Sequence, residues 1–215
     1  MCGDEKKTNT CIRNLEVWID PELKMCHHVK HIQQVSYRNI RELRLIRQYL
    51  TSDAIKTLVQ AMVISHLDYS NSLLYGISAN LLDTLQRVQN AAARLVLGIP
   101  KFDHITEGLK RLHWLPVRYR ITYKIAVITY KVLANDEPRY LRDLLIVQKP
   151  KRTLRSSSSF TLQVPRTKLK CAGDRSFAAC APKIWNSLPD HLTSAKTLTL
   201  FKKQLKTHLF KKAYT

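Results

Sequence analysis

The residues best suited to chemistry sit together in "CHHVKH", where Cys26, His27, His28 and His31 follow closely on one another. On a helix, His27 and His31 are an i, i+4 pair facing one way, and that spacing can hold zinc. A structural zinc site takes four ligands in a recognisable layout, however. Cys171 and Cys180 are separated by eight residues, which matches no common metal pattern. The expected reading is solvated histidines on a helix face and buried structural thiols, with no metal or cofactor. Other chemistry has less support. The glycines, at 3, 76, 98, 108 and 173, are too isolated for a phosphate-cradling loop, and neither H-E-x-x-H nor G-x-S-x-G occurs. No Asp-Asp pair exists, so a two-metal polymerase site has no obvious carboxylates. Asp68, beside Tyr69 in "HLDYSNSLLYG", is expected to cap or pack at a helix end.

Binding chemistry is better represented. Thirty-six Lys and Arg against sixteen Asp and Glu give a formal net charge of +20. The excess is +3 over residues 1–50, zero over 51–100, +5 over 101–150 and +12 over 151–215. Lys149, Lys151, Arg152 and Arg155 form one basic cluster, and Arg166, Lys168 and Lys170 a second. Lys202, Lys203, Lys206, Lys211 and Lys212 form a third. Serines among them add neutral donors for phosphate oxygens. With two acids after residue 150, a polyanion partner is expected, and nucleic acid is the default one. No motif for reading base edges accompanies the charge, so binding should be independent of sequence and apply to RNA or DNA.

The elements that must position these groups are mostly helices. In "LQRVQNAAARLVLG", Leu85, Val88, Ala92, Leu95 and Val96 share a face with Leu81 and Leu82, and Gly98 closes the segment. Arg87, Gln89, Asn90 and Arg94 lie off that face and hold no catalytic group. The preceding helix carries Ile55, Leu58, Val59, Met62, Val63, His66 and Leu67, with N-cap chemistry in "TSD" at 51–53 and Gly76 as its end. Residues 54–97 thus read as two antiparallel helices. A strand is expected in "CIRNLEVWID", broken by Asp20-Pro21, then a helix from about Pro21 to Tyr49. After a short helix near "HITEGLKRL", Pro116 opens a long helix through Ala134. Its apolar face is Val117, Ile121, Ile125, Ile128 and Val132, with Tyr119, Tyr123 and Tyr130 on the other side as expected core. A linker is expected at about 150–159, a strand pair in "FTLQVPRTKLK", and a short helix interrupted near Pro182. The last helix carries Leu198, Phe201, Leu205 and Leu209 on one face. An apolar content of 45% supports a core. Five scattered cysteines suggest a reducing compartment, and neither a signal peptide nor a membrane span is expected.

Taken in order, these stretches resemble a known family. "LQRVQNAAARLVLGIPKFDHITEGLKRLHWLPVRYRI" is similar to the region after the polymerase palm in LINE-type (non-LTR) retrotransposon reverse transcriptases, especially the Jockey-like and chicken-repeat-like groups. The resemblance continues through "ITYKVLANDEPRYLRDLL", "VPRTKLKCAGDRSFAACAPKIWNSLPDHL" and "FKKQLKTHLF". Upstream, "NLEVWIDPEL" resembles the family's post-palm hairpin and "ISHLDYSNSLLYG" its first thumb helices, so the match spans roughly 12–212. It implies a mainly α chain: a hairpin remnant within 1–20, a helical thumb-like bundle over 21–149, and a smaller basic α+β region with a short hairpin over 150–215. It also implies that the palm's catalytic aspartates and the endonuclease belong upstream of this region. The expectation is therefore a non-catalytic, non-enzymatic C-terminal fragment of an RNA-directed DNA polymerase that holds template and primer, in the nucleus or cytoplasm. The alternatives are a host-adapted nucleic-acid-binding protein or a protein-interaction module, with self-association through apolar helix faces. The chain departs from the family at Glu16, where the hairpin usually has glycine, which puts a tight turn there in doubt.

Overall fold

The structure, a computed structural model, describes residues 11–148, 161–169 and 172–215. The expected linker at 150–159 lies outside the described residues, as do Lys149, Lys151, Arg152, Arg155, Lys170 and Cys171. The fold is mainly helical with a small two-stranded antiparallel hairpin. No helix among the described residues is long and apolar enough to cross a membrane. The chain forms two compact units. One is the described part of Met1–Ser70 with Ile77–Gly108; the other is Asn71–Gly76 with the described part of Leu109–Thr215. The helical stretch expected over 21–149 is shared between them.

The first unit opens with β1 (Ile12–Asn14) and β2 (Val17–Ile19), paired so that Asn14 faces Val17. The two residues between them, Leu15 and Glu16, have φ of 44° and 65°. Two positive φ values in a two-residue loop match the twist of a hairpin, and they cost side-chain-bearing residues roughly 1–2 kcal/mol each. The tight turn expected to suffer from Glu16 forms nonetheless. Arg13 pairs with the Glu16 carboxylate, and the Tyr69 hydroxyl donates to the Leu15 carbonyl at 2.9 Å. The Tyr69 bond ties the turn to the rest of the unit, while the exposed ion pair adds little.

Helix α1 spans Cys26–Ile46, ending in a 3-10 turn at Arg47–Tyr49. It starts later than Pro21 because the Asp20 carboxylate takes the N–H groups of Lys24 and Met25, at 2.7 and 2.6 Å. A side chain that captures backbone donors competes with the helix. Thr51 caps α2 (Ser52–Val59), accepting from the Ala54 N–H at 3.2 Å, as "TSD" predicts. A π turn at Gln60–Ile64 then leads into α3 (Ser65–Asp68). Asn39 of α1 donates to the Met62 carbonyl in that wide turn at 2.6 Å. The helix stops at Asp68, with Ser70 at φ 50°, so Gly76 is not its end. Gly76, at φ +70°, instead follows a 3-10 turn at Asn71–Leu74 in the second unit. Helix α4 (Ala79–Leu97) packs chiefly on α1 and ends at Gly98, left-handed at φ 67°. Leu85, Val88, Ala92, Leu95 and Val96 are buried as the periodicity predicts. Gln89 is also buried, at 0% exposure, with Gln86 donating to it at 3.0 Å, so the polar face is narrower than its spacing suggests.

The unit boundary falls within α5 (Thr106–Arg111). Pro116 precedes α6 (Val117–Asn135), the centre of the second unit, followed by α7 (Arg139–Arg142). Helix α8 (Phe177–Asn186) runs unbroken through Pro182, contrary to the expected interruption. Ala181, Pro182, Ile184 and Trp185 are all buried there, which offsets the lost backbone bond. Then come α9 (Asp190–Thr193) and α10 (Leu198–Tyr214). Helix α6 packs against α8 and α10; of its tyrosines Tyr130 is buried, and Tyr119 and Tyr123 are half-buried. Tyr130 stacks on Phe201 at 4.4 Å and donates to the Ala195 carbonyl at 2.7 Å. Tyr119 donates to the Lys212 carbonyl at 3.2 Å, and burial pushes the Tyr123 phenol up. The strand pair expected in "FTLQVPRTKLK" reduces, among the described residues, to one antiparallel bridge between Val147 and Leu162. On Leu162's other side the Asn186 amide takes both backbone groups, at 2.9 and 2.8 Å, where a further strand would pair.

Candidate nucleic-acid interface

The basic residues of α10 are arranged by three apolar anchors. The Thr197 side chain accepts from the Leu200 N–H at 3.2 Å, fixing the helix start. Phe201, Leu205 and Leu209 then recur every four residues and are buried. Lys203 and Lys206 are thereby turned to solvent, with Lys202 half-buried on the same side. Lys211 and Lys212 are exposed in the last turn, where cations also offset the helix dipole. Residues 191–215 contain no Asp or Glu, so no acid neighbour in this stretch offsets these lysines. Arg166 and Lys168 are exposed on a different segment, between the Val147–Leu162 bridge and α8. The expected third cluster is thus one helix face plus a terminal pair, and only part of the second cluster lies in the described residues.

A second basic site was not visible in the sequence. In the first unit, α1, α4 and the segment after α4 enclose a groove of about 930 Å³. Arg41, Arg44 and Arg47 line it from α1 and the turn that follows; Arg87 and Arg94 line it from α4, and Lys101 from beyond it. Ile40, Ala91, Leu95 and Ile99 supply apolar lining, Tyr37 stands beside them, and among the described residues no carboxylate lines the groove. Three of these bases also donate to backbone carbonyls. Arg47 donates to the Leu95 and Val96 carbonyls at 3.2 and 3.3 Å, satisfying the orphan end of α4. Arg94 donates to the Asp103 carbonyl at 3.0 Å, while its Nε has no partner. Arg41, Arg44 and Arg87 are exposed, and the Arg87 Nε donates to the Asp83 carbonyl one turn back at 3.3 Å. The signal that could have revealed the groove is spacing: Arg41, Arg44 and Arg47 at three-residue steps, Arg87 and Arg94 seven apart, each a single helix face. Regional charge hid it, because residues 51–100 are neutral overall.

Compared with known proteins, the chain matches no family model, no curated protein and no solved structure.

The histidine cluster also differs from expectation. His28 is not solvated: it is 2% exposed, and neither ring nitrogen has a hydrogen-bond partner among the described residues. It lines a cavity of about 300 Å³ with Glu16, His31, His66 and Tyr69. Burial, followed by the proximity of His31, lowers its pKa below the ordinary histidine value. His27 is exposed, and His31 meets the Trp18 ring edge-on at 6.3 Å. Cys26 is exposed rather than buried, whereas Cys180 is buried and its thiol is pushed up to about 11. Among the described residues no group of three His, Cys, Asp or Glu could hold a metal ion.

Proposed function

We propose that the protein is a non-catalytic nucleic-acid-binding chain, a thumb-like C-terminal piece of a non-LTR reverse transcriptase that holds RNA or DNA without reading its sequence. The observation that carries this reading is α10: three buried anchors fix a helix whose lysines face solvent in a stretch free of acids. Lysine is a flexible point charge suited to phosphates in many registers, and nothing in such a face distinguishes one base from another. The resemblance supports the same role, since a polymerase thumb works by shape and charge.

Binding through phosphates releases counterions and is therefore steeply salt-dependent. Titrating the full chain with labelled DNA and RNA of unrelated sequences tests the reading. Affinities should agree within a few-fold and, for about six phosphate contacts, fall roughly a thousandfold between 50 and 200 mM salt. Binding that tracks base sequence, or that ignores salt, would contradict it. Primer-extension assays with Mg²⁺ or Mn²⁺ should give background incorporation only.

A further inference from the structure

We infer that the arginine groove of the first unit is a separate binding site for a single strand of nucleic acid, gripping its phosphates independently of the C-terminal lysines. The inference rests on the reading that the ligand is nucleic acid and goes beyond it by assigning a second site and a strand form. Arg41, Arg44 and Arg87 face this groove from two helices, are exposed, and have no acidic partner among the described residues. A guanidinium presents a rigid fork of donors that matches phosphate oxygens, so arginines on opposing walls can clamp a backbone running between them.

The groove's dimensions and lining choose the strand form. Its volume of about 930 Å³ is that of a large small-molecule pocket, and its walls are two directly packed helices. A duplex would rest on the rim, whereas a single strand fits between the walls. The lining of Ile40, Ala91, Leu95 and Ile99, with Tyr37 beside it, offers bases an apolar surface and one ring for stacking. A basic groove combined with an aromatic platform is how proteins hold single strands without sequence preference. A run of acidic residues alone would satisfy the arginines but leave that apolar lining unused.

The test uses the full chain with labelled oligothymidylate and a duplex of equal length, each titrated at several salt concentrations. The groove variant is Arg41→Gln/Arg44→Gln/Arg87→Gln; the tail variant is Lys202→Gln/Lys203→Gln/Lys206→Gln. The groove variant should lose at least about tenfold in affinity for the single strand, and its salt slope should fall by about 2, as expected for three lost phosphate contacts. Its duplex affinity should change much less. A smaller loss on the single strand, or an equal loss on the duplex, overturns the inference. Arg41→Lys/Arg44→Lys/Arg87→Lys keeps the charges but loses the forks, so it should bind between the parent and the glutamine variant with the parent's salt slope; if its slope falls with that of the glutamine variant, groove charge is not what binds. Polyglutamate that displaces the strand in a groove-dependent way would assign the site to acidic protein and overturn it as well. If the parent binds neither probe, the nucleic-acid reading itself fails. If the parent binds and only the tail variant weakens, the groove inference alone fails.

Discussion

The two basic surfaces are built in opposite ways. Helix α10 carries its lysines along one continuous stretch, spaced by Phe201, Leu205 and Leu209, so charge and scaffold belong to the same seventeen residues. The groove gathers Arg41 and Arg44 on α1 with Arg87 and Arg94 on α4, and only tertiary packing brings them together. One surface survives as long as one helix docks; the other exists only where two helices meet. Their chemistry differs accordingly: lysines on long stems suit an exposed face, while arginine forks suit a lined cleft.

The largest effect that separates them is on α10. Phe201 is 0% exposed and lies between Tyr130, at 4.4 Å, and Trp185, at 6.0 Å. Phe201→Ala should cost about 3–5 kcal/mol, read as a fall in the urea midpoint of the transition that includes α10. A loss under 1 kcal/mol would mean that the lysine face does not depend on this anchor. Next in size is Arg47→Ala in the groove. Removing the donors to Leu95 and Val96 leaves the end of α4 unsatisfied, and the expected cost is about 1–3 kcal/mol by denaturant titration. Arg41→Ala, by contrast, should fall within about 0.5 kcal/mol, because that side chain is exposed and has no hydrogen bond to the described residues. Equal losses for the two would erase the division between structural and binding arginines.

Smaller effects concern the hairpin and the histidine cavity. Glu16→Gly relieves a left-handed residue but removes the pairing with Arg13, an exposed ion pair worth little. The first unit should gain roughly 1 kcal/mol, and a loss of stability would show that the ion pair outweighs the strain. His28 supplies a pH effect whose sign is fixed. Its folded-state pKa lies below the ordinary 6.5, so the unfolded chain binds a proton at higher pH than the folded one does. Its stability contribution is complete above about pH 6.5 and is lost as pH falls through the lowered value. His28→Phe should flatten that acid-side decline in Tm, and an unchanged decline would place the sensitivity elsewhere.

The local features of the fold were legible in the sequence because local residues cause them. Thr51 caps α2, Gly98 closes α4 and Pro116 opens α6, each by its own backbone or side-chain chemistry. What escaped depends on distant partners. The π turn at Gln60–Ile64 coincides with a hydrogen bond from Asn39, and Gln89, which spacing put on a polar face, is fully buried on α4, the helix that packs against α1. Pro182 stays within α8 because the surrounding burial outweighs its propensity. The same distinction divides the sites. The α10 lysines can be read from adjacent residues, whereas pairing Arg44 with Arg87 requires knowing that α1 packs on α4.

The measurement that bears most directly on the central claim is the salt dependence of nucleic-acid binding by the full chain and by a sixfold variant. That variant neutralises Lys151, Arg152 and Arg155 together with Lys202, Lys203 and Lys206. It should bind DNA and RNA more weakly by similar factors, with a flattened slope of log affinity against log salt. Equal affinities and equal slopes for the two proteins would show that the basic C-terminal residues do not bind nucleic acid, and would contradict the account.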